Sequence, residues 1–227
     1  MNKKTKKQTR IKKLKNETEE IKKGLFEEKK FWIIISILTL LTILSFFYDK
    51  QISLAIESIR SPLMNKIMIL ATDLMSLYLG MPLLILLIYF KEKKRNKKVY
   101  RKIIISMTLN VIISLIIKMI IHRPRPYHNG VKSVIGNEFS SSFPSDHSAR
   151  AFNYFSIIAN YYNHKIFYYS IATLIAFSRI YLGVHYTSDV FAGAAIGLII
   201  SHYTIKYKWG TRSFEYYEKK VLKKAKG

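Results

Sequence analysis

Long apolar runs separated by short charged segments dominate the chain. Six such runs lie at 31–48, 74–90, 103–121, 146–163, 166–184 and 188–205. The first three hold a single charge between them, Lys118, and each approaches the roughly 20 residues that a helix needs to cross a bilayer. The later three contain more polar residues but have similar lengths. The pattern therefore predicts an all-α fold, a polytopic membrane bundle of six transmembrane helices.

Apolar residues are scattered among polar ones between the first two runs, at 49–73. Such a segment is typical of an amphipathic helix that lies along the membrane interface instead of crossing it. Lysine is abundant outside the runs, at both ends of the chain. We therefore predict a basic N-terminal segment over 1–30, a membrane domain over 31–207 and a basic C-terminal tail over 208–227.

The chain combines 49% hydrophobic residues with a formal net charge of +24, and the two are kept apart along the sequence. Residues 1–30 hold twelve Lys and Arg, and 91–102 and 206–226 hold eight each, whereas 49–73 and 122–143 hold three each. Because Lys and Arg prefer the cytoplasmic side of a membrane, both termini are predicted to be cytoplasmic. The sparse segments and the turn between the last two helices are then predicted to face outward.

The lysine-rich ends raise a second interpretation, in which they bind nucleic acid. They flank membrane helices, however, and glutamates are interleaved with the lysines at 19–23 and 27–30. A juxtamembrane segment that meets anionic lipid is the simpler interpretation, so the predicted partner is the bilayer and not nucleic acid. The chain contains no cysteine, which excludes disulfides, a thiolate nucleophile and cysteine metal ligands. The sequence leaves the oligomeric state open.

Two cations lie near the end of the third run and just beyond it. Lys118 is followed seven residues later by Arg125, which stands between Pro124 and Pro126. The prolines are expected to stop the helix and hold the arginine in extended backbone. A guanidinium matches phosphate oxygens with a planar fork, and a lysine supplies a point charge. The alternative is that both side chains are interfacial anchors that reach the headgroups.

A second polar cluster directly precedes the fourth run. It contains Ser145, Asp146 and His147, after Pro144. Proline and serine are helix-start signals, and a helix start presents free N–H groups and a dipole that favour an anion. The alternative is a simple cap, in which Ser145 caps the helix and Asp146 complements its dipole. That alternative leaves His147 unexplained.

The third cluster lies around the turn between the last two runs. Arg179 is followed by His185 and, four residues later, by Asp189. On one helix face, the Asp189 carboxylate would hold one ring nitrogen of His185 and leave the other free to attack. A histidine oriented in this way can act as a covalent nucleophile. An isolated pair at this spacing is usually structural, so the pair gains its weight from the other two clusters.

The three clusters together resemble the signature motifs of a known family, the type 2 phosphatidic acid phosphatase superfamily. The matching patterns are Lys118-x6-Arg125-Pro126, Pro144-Ser145-x-His147 and Ser178-Arg179-x5-His185-x3-Asp189. The resemblance covers roughly residues 50–205. It implies a membrane phosphatase that uses no metal or other cofactor and acts on the phosphate monoesters or diphosphates of lipids.

The resemblance also implies a role for each residue. His185 would be the nucleophile that becomes a phosphohistidine, Asp189 would orient its ring, and His147 would serve as general acid and base. The group implied in phosphate binding consists of Lys118, Arg125, Arg179, Ser145 and the neighbouring Asp146. The roles of His122 and Arg123 stay open.

Asp146 departs from the family pattern, in which glycine is common at this position. The Pro-Ser-Asp-His version resembles the bacterial undecaprenyl-diphosphate phosphatases of the superfamily, which favours undecaprenyl diphosphate as substrate. Phosphatidylglycerol phosphate and phosphatidic acid are the alternative lipids. Two alternatives of another class are a transferase that passes the phosphoryl group to an alcohol or lipid, and a catalytically silent protein that binds lipid phosphates.

Overall fold

Seven α-helices make up most of the computed structural model, which describes residues 3–76, 80–93 and 99–207. They are α1 (Lys3–Ser58), α2 (Pro62–Asp73), α3 (Gly80–Lys93), α4 (Val99–Ile121), α5 (Asp146–Tyr161), α6 (Lys165–Tyr181) and α7 (Thr187–Lys206). A short 3-10 helix, Pro126–Asn129, lies between α4 and α5. These ranges contain no strand, so the all-α prediction is confirmed for the described chain.

The chain divides into two compact units, one ending at Ile37 and the other beginning at Leu38. All predicted site residues belong to the second unit. The domain boundaries drawn from the sequence stay predictions, and the basic tail at 208–227 lies outside the described residues.

Three of the described helices are long and apolar enough to cross a membrane, at Leu25–Ser58, Val99–Asn129 and Thr187–Lys206. A shorter apolar helix covers Gly80–Lys91. Helices α5 and α6 have 16 and 17 residues and coincide with the fourth and fifth apolar runs. The structure therefore supports a helical membrane protein, whereas the count of six spans stays a prediction.

The segment 49–73 differs from its prediction as a single interfacial helix. Helix α1 continues without a break to Ser58, because residues 49–58 contain neither proline nor glycine. A new helix then starts at Pro62, and Ser61 caps it by accepting a hydrogen bond from Met64 N (3.3 Å). Serine before proline is a strong start signal for a helix. The segment is therefore the end of α1 followed by the separate helix α2.

The apolar run 74–90 is also divided. Leu74 and Met75 form a turn after α2, and α3 begins only at Gly80. A Cβ at Gly80 would lie 2.0 Å from the carbonyl oxygen of Asp73, so the close approach of the two segments requires glycine. The prediction of one helix over the whole run was wrong at its start, because apolar composition does not reveal this break.

Helix α5 is the centre of the second unit and packs against α4, α6 and α7. It lies very close to α7, where two glycines face it. A Cβ at Gly193 would lie 2.5 Å from the carbonyl oxygen of Ser145, and a Cβ at Gly197 would lie 2.2 Å from that of Ala149. Small residues allow membrane helices to approach this closely. The first turns of α5 and α7 are thereby held side by side.

The loop 122–145, which joins α4 to α5, contacts both the turn after α6 and the start of α7. Val134 N donates to Leu182 O (3.0 Å), and Ser145 N donates to Asp189 O (3.0 Å). These backbone bonds hold three distant parts of the sequence together. Buried polar side chains gather between them and form the candidate site.

Candidate active site

Two buried arginines form the basic centre of the site. Arg125 follows α4 in extended backbone (φ −83°, ψ 162°), as its flanking prolines predict, and is 2% exposed. Arg179, in the last turn of α6, is 1% exposed. Arg125 donates through Nε to Ser140 O (2.7 Å) and through Nη1 to Val184 O (2.8 Å). Both guanidiniums are therefore fixed inside the protein and are not anchors that reach the headgroups.

A single carboxylate bridges the two arginines. Glu138 Oε2 lies 2.8 Å from Arg125 Nη2, and Glu138 Oε1 accepts a hydrogen bond from Arg179 Nη2. Burial alone would raise the pKa of Glu138, but the charges of Arg179 and Arg125 and the hydrogen bond from Arg179 lower it below its usual value. The carboxylate is therefore ionised at neutral pH. Glu138 was not among the site residues predicted from the sequence, although it is the one acidic residue in the loop 122–145.

His185 and Asp189 lie beside each other, and His185 is close to the Arg125 guanidinium. His185 Nδ1 is 3.5 Å from Asp189 Oδ2, although the pair is not aligned as a hydrogen bond. His185 Nε2 is 3.4 Å from Arg125 Nη1. Burial lowers the pKa of His185, and the positive charges of Arg125 and Arg179 lower it further. The ring is therefore neutral at pH 7, which is the nucleophilic form.

The two residues do not share a helix face, contrary to the geometry considered from their spacing. Helix α7 begins at Thr187 with Tyr186 as its N-cap, so His185 lies before the helix. Asp189 Oδ2 accepts hydrogen bonds from Tyr186 N (2.8 Å) and from Ser142 Oγ (2.5 Å). The capping arrangement at the start of α7, and not helical spacing, places the carboxylate beside the imidazole.

Arg123 connects α1 to the carboxylate of α7. Its Nη1 donates to Asp189 Oδ1 and to Ser188 Oγ, both at 2.6 Å, and its Nη2 donates to Asp49 Oδ2 at 2.7 Å. Asp49 and Asp189 are both buried, so one guanidinium balances two carboxylates in a low-dielectric environment. The sequence left the role of Arg123 open and gave no sign of Asp49, which directly follows the first apolar run.

Ser145 and His147 lie at the start of α5, next to the start of α7. Ser145 precedes α5, but its Oγ makes no capping hydrogen bond and is buried without a partner among the residues that the structure describes. The alternative of a simple cap is therefore wrong for Ser145, and its hydroxyl is free to bind a ligand. His147 lies in the first turn of α5, where its Nδ1 is 3.2 Å from Arg150 Nη2.

Lys118 and Asp146 form a pair beside this helix start. Lys118 Nζ donates to Ser141 O (2.5 Å) and lies 3.6 Å from Asp146 Oδ2. Lys118 is buried, whereas the Asp146 side chain is partly exposed. Asp146 therefore offsets part of the positive charge of Lys118. His122, the other residue left open by the sequence, follows α4 in the left-handed conformation (φ 47°) with an exposed side chain.

The chain belongs to the PAP2 superfamily. This superfamily matches the sequence over residues 99–213. Phosphatidylglycerophosphatase B of Bacillus subtilis (strain 168) is 30% identical over 167 residues, which cover 67% of this chain and 79% of that protein. The resemblance drawn from the three motifs is therefore confirmed, and the chain is placed in a family of phosphatases that hydrolyse phosphate esters.

Two further comparisons agree with the membrane fold. Undecaprenyl-diphosphatase BcrC of Bacillus subtilis (strain 168) is 27% identical over 154 residues, covering 66% of this chain and 78% of that protein. The crystal structure of a transmembrane PAP2 type phosphatidylglycerolphosphate phosphatase from Bacillus subtilis superimposes with a TM-score of 0.68 at 25% identity, covering 82% of this chain and 97% of that one. The protein is thus a member of the membrane lipid phosphatases of this family.

Proposed function

We propose that this protein removes a phosphate group from a lipid at the outward-facing surface of the cell membrane, and that it converts undecaprenyl diphosphate to undecaprenyl phosphate. The observation that carries the proposal is the buried imidazole of His185 with its Nε2 3.4 Å from a guanidinium nitrogen of Arg125. A neutral nucleophile beside fixed cations suits attack on phosphorus, because the cations stabilise the charge that spreads over the phosphoryl oxygens.

The proposed reaction has two steps. In the first, His185 Nε2 attacks phosphorus, a nitrogen–phosphorus bond forms, and the bond to the leaving oxygen breaks as His147 gives that oxygen a proton. In the second, water attacks the phosphohistidine, His147 takes the proton from that water, and inorganic phosphate leaves. The Asp189 carboxylate near Nδ1 favours the tautomer in which Nε2 carries the free electron pair.

The remaining side chains are assigned to the phosphate. Arg125 and Arg179 supply forked donors and Lys118 a point charge, which together stabilise the transferred phosphoryl group without a metal or other cofactor. The unpartnered Ser145 hydroxyl and the N–H groups at the start of α5 add further donors. Asp146 limits the positive charge of Lys118 and so influences which phosphates fit.

The choice of lipid rests on the Pro-Ser-Asp-His motif and on the similarity to an undecaprenyl-diphosphatase. The similarity to a phosphatidylglycerophosphatase makes phosphatidylglycerol phosphate the second candidate, and phosphatidic acid is the third. We expect the purified protein to release phosphate fastest from undecaprenyl diphosphate when the three lipids are compared in the same detergent, with release that persists in chelator and falls with vanadate. A clear preference for another of the three lipids would reassign the substrate.

Two functions of another class share part of this site. A transferase would form the same phosphohistidine and pass the group to an alcohol or a second lipid, so an assay of products with added acceptors separates it from a hydrolase. A catalytically silent protein would bind lipid phosphates without releasing phosphate. The presence of both histidines beside arginines argues against the silent protein, whereas a hydrolase and a transferase would share this arrangement.

The proposed topology places both termini in the cytoplasm and the active site outside the cell, in contact with the bilayer and without nucleic acid as a partner. It is supported by the distribution of Lys and Arg between the segments. The chain lacks cysteine, so single cysteines can be introduced at two exposed positions, Lys132→Cys and Lys165→Cys. An impermeant thiol reagent added to intact cells should label position 132 and spare position 165, and the reverse pattern would invert the topology.

A further inference from the structure

The carboxylate of Glu138 contacts the two arginines that the proposed function assigns to phosphate. It lies 2.8 Å from Arg125 and accepts a hydrogen bond from Arg179, and both guanidiniums are almost fully buried. Guanidinium groups bind carboxylates and phosphates through the same N–H donors. A phosphate that bridges the two guanidiniums must therefore compete with Glu138 for these donors.

The side chain of Glu138 can rotate away from the two arginines while the backbone of its loop stays in place. Tyr127 fixes the backbone, because its hydroxyl donates to Glu138 O (2.7 Å) and accepts from Glu138 N (3.2 Å). The side chain, by contrast, is 33% exposed, so its rotation toward solvent has a direct path. The local structure thus combines a fixed main chain with a carboxylate that can be displaced.

Glu138 satisfies only part of the binding capacity around it. Arg179 Nε is buried and has no hydrogen-bond partner among the described residues while the carboxylate is in place. A carboxylate offers two oxygens and one negative charge, whereas a terminal phosphate offers three oxygens and a charge between about one and two. A terminal phosphate can therefore engage more of these donors than Glu138 does.

We propose that Glu138 is a specificity-determining residue, an internal anion that holds Arg125 and Arg179 until the terminal phosphate of a lipid displaces it. The inference rests on the proposed function, since it requires that these two arginines hold the phosphate. Displacement of Glu138 weakens the binding of every anion. Phosphodiester headgroups carry one negative charge and outnumber the substrate in a bilayer. The free energy needed to displace Glu138 prevents these headgroups from binding, while a terminal phosphate still binds.

The test measures the binding of inorganic phosphate by calorimetry, which does not depend on turnover. Glu138→Gln keeps the size of the side chain and removes its charge, so the dissociation constant for inorganic phosphate should fall by about tenfold or more, because hydrogen bonds between charged groups contribute at least that much. Glu138→Asp keeps the charge but is one methylene shorter and cannot span both arginines as well. We expect it to bind phosphate with an intermediate affinity.

Glu57→Gln is the matched control. Its carboxylate accepts a hydrogen bond from Lys132 N (3.0 Å) in the same loop, and the variant should bind inorganic phosphate like the wild type. Added phosphatidylglycerol in mixed micelles should inhibit the release of phosphate from the lipid substrate by the Glu138→Gln variant. Release by the wild type and by the control should be unaffected. Glu138→Asp also keeps the test decisive if the glutamine variant does not fold.

The proposal is overturned if the folded Glu138 variants bind inorganic phosphate no more tightly than the wild type. Glu138 would then align the arginines instead of competing for them. Release of phosphate from lipids by the wild type is measured separately. A wild type that releases none refutes the proposed function, whereas normal release with unchanged phosphate affinity in the variants refutes only the role of Glu138.

Discussion

Replacement of His185 by asparagine is expected to reduce the release of phosphate from lipid substrates by at least about a thousandfold, because no other described group is placed to form the covalent intermediate. The imidazole is buried and neutral, and its Nε2 lies beside the Arg125 guanidinium. Asparagine retains a polar side chain of similar size, so the fold should be preserved. The measurement is the initial rate with the preferred lipid at saturating concentration.

His164→Asn is the matched control for this substitution. His164 precedes α6 at the end of the helix opposite Arg179 and adopts a left-handed conformation (φ 71°), which asparagine tolerates well. The control should retain the activity of the wild type. Substantial residual activity in a folded His185→Asn protein would show that another group attacks phosphorus.

Arg123→Gln should produce the second large effect, a fall in kcat on the order of a hundredfold, since small displacements of reacting groups have effects of this size. The guanidinium contacts both Asp49 and Asp189, and its loss leaves two buried carboxylates without their counterion. Because Arg125 and Arg179 are unchanged, the dissociation constant for inorganic phosphate should stay near that of the wild type. Arg123 would thus be identified as a positioning residue that acts through Asp189.

A second substitution separates this effect from a loss of stability. Removal of one partner of a buried ion pair costs about 3–5 kcal/mol, whereas removal of both is far less harmful. Asp49→Asn combined with Arg123→Gln removes one of the two uncompensated carboxylates and should therefore restore part of the thermal unfolding midpoint, whereas kcat should stay low because Asp189 still lacks its counterion. Arg60→Gln is the control, since Arg60 donates to the backbone oxygen of Lys132 and not to these carboxylates. Full recovery of kcat in the double variant would assign Arg123 a purely structural role.

The motif residues could be predicted because their chemistry is unusual where it occurs. Lys118 and Arg179 are cations inside apolar runs, and such residues in membrane helices are mostly functional. The prolines around Arg125 also fixed the expectation of extended backbone, which the structure confirms. Local sequence is sufficient for features of this kind, because they depend on residue type and near neighbours.

Glu138 and Asp49 could not be predicted in the same way. Each is a single acidic residue whose partner lies far along the chain, 41 residues away for the pair Glu138–Arg179 and 74 for the pair Asp49–Arg123. Their contacts exist only once the loop 122–145 has folded against α6 and α7. The relation between His185 and Asp189 was misjudged for a related reason, since spacing alone does not show where α7 begins.

The glycines of α7 give packing a direct influence on chemistry. Gly193 and Gly197 have no side chain between α7 and α5, and even one methyl group at either position would meet a backbone oxygen of the neighbouring helix. The position of His147, at the start of α5, relative to His185, just before α7, is therefore set by direct contact between the backbones of the two helices. A larger residue at position 193 or 197 is therefore expected to push α5 away from α7 and to displace the groups at their first turns.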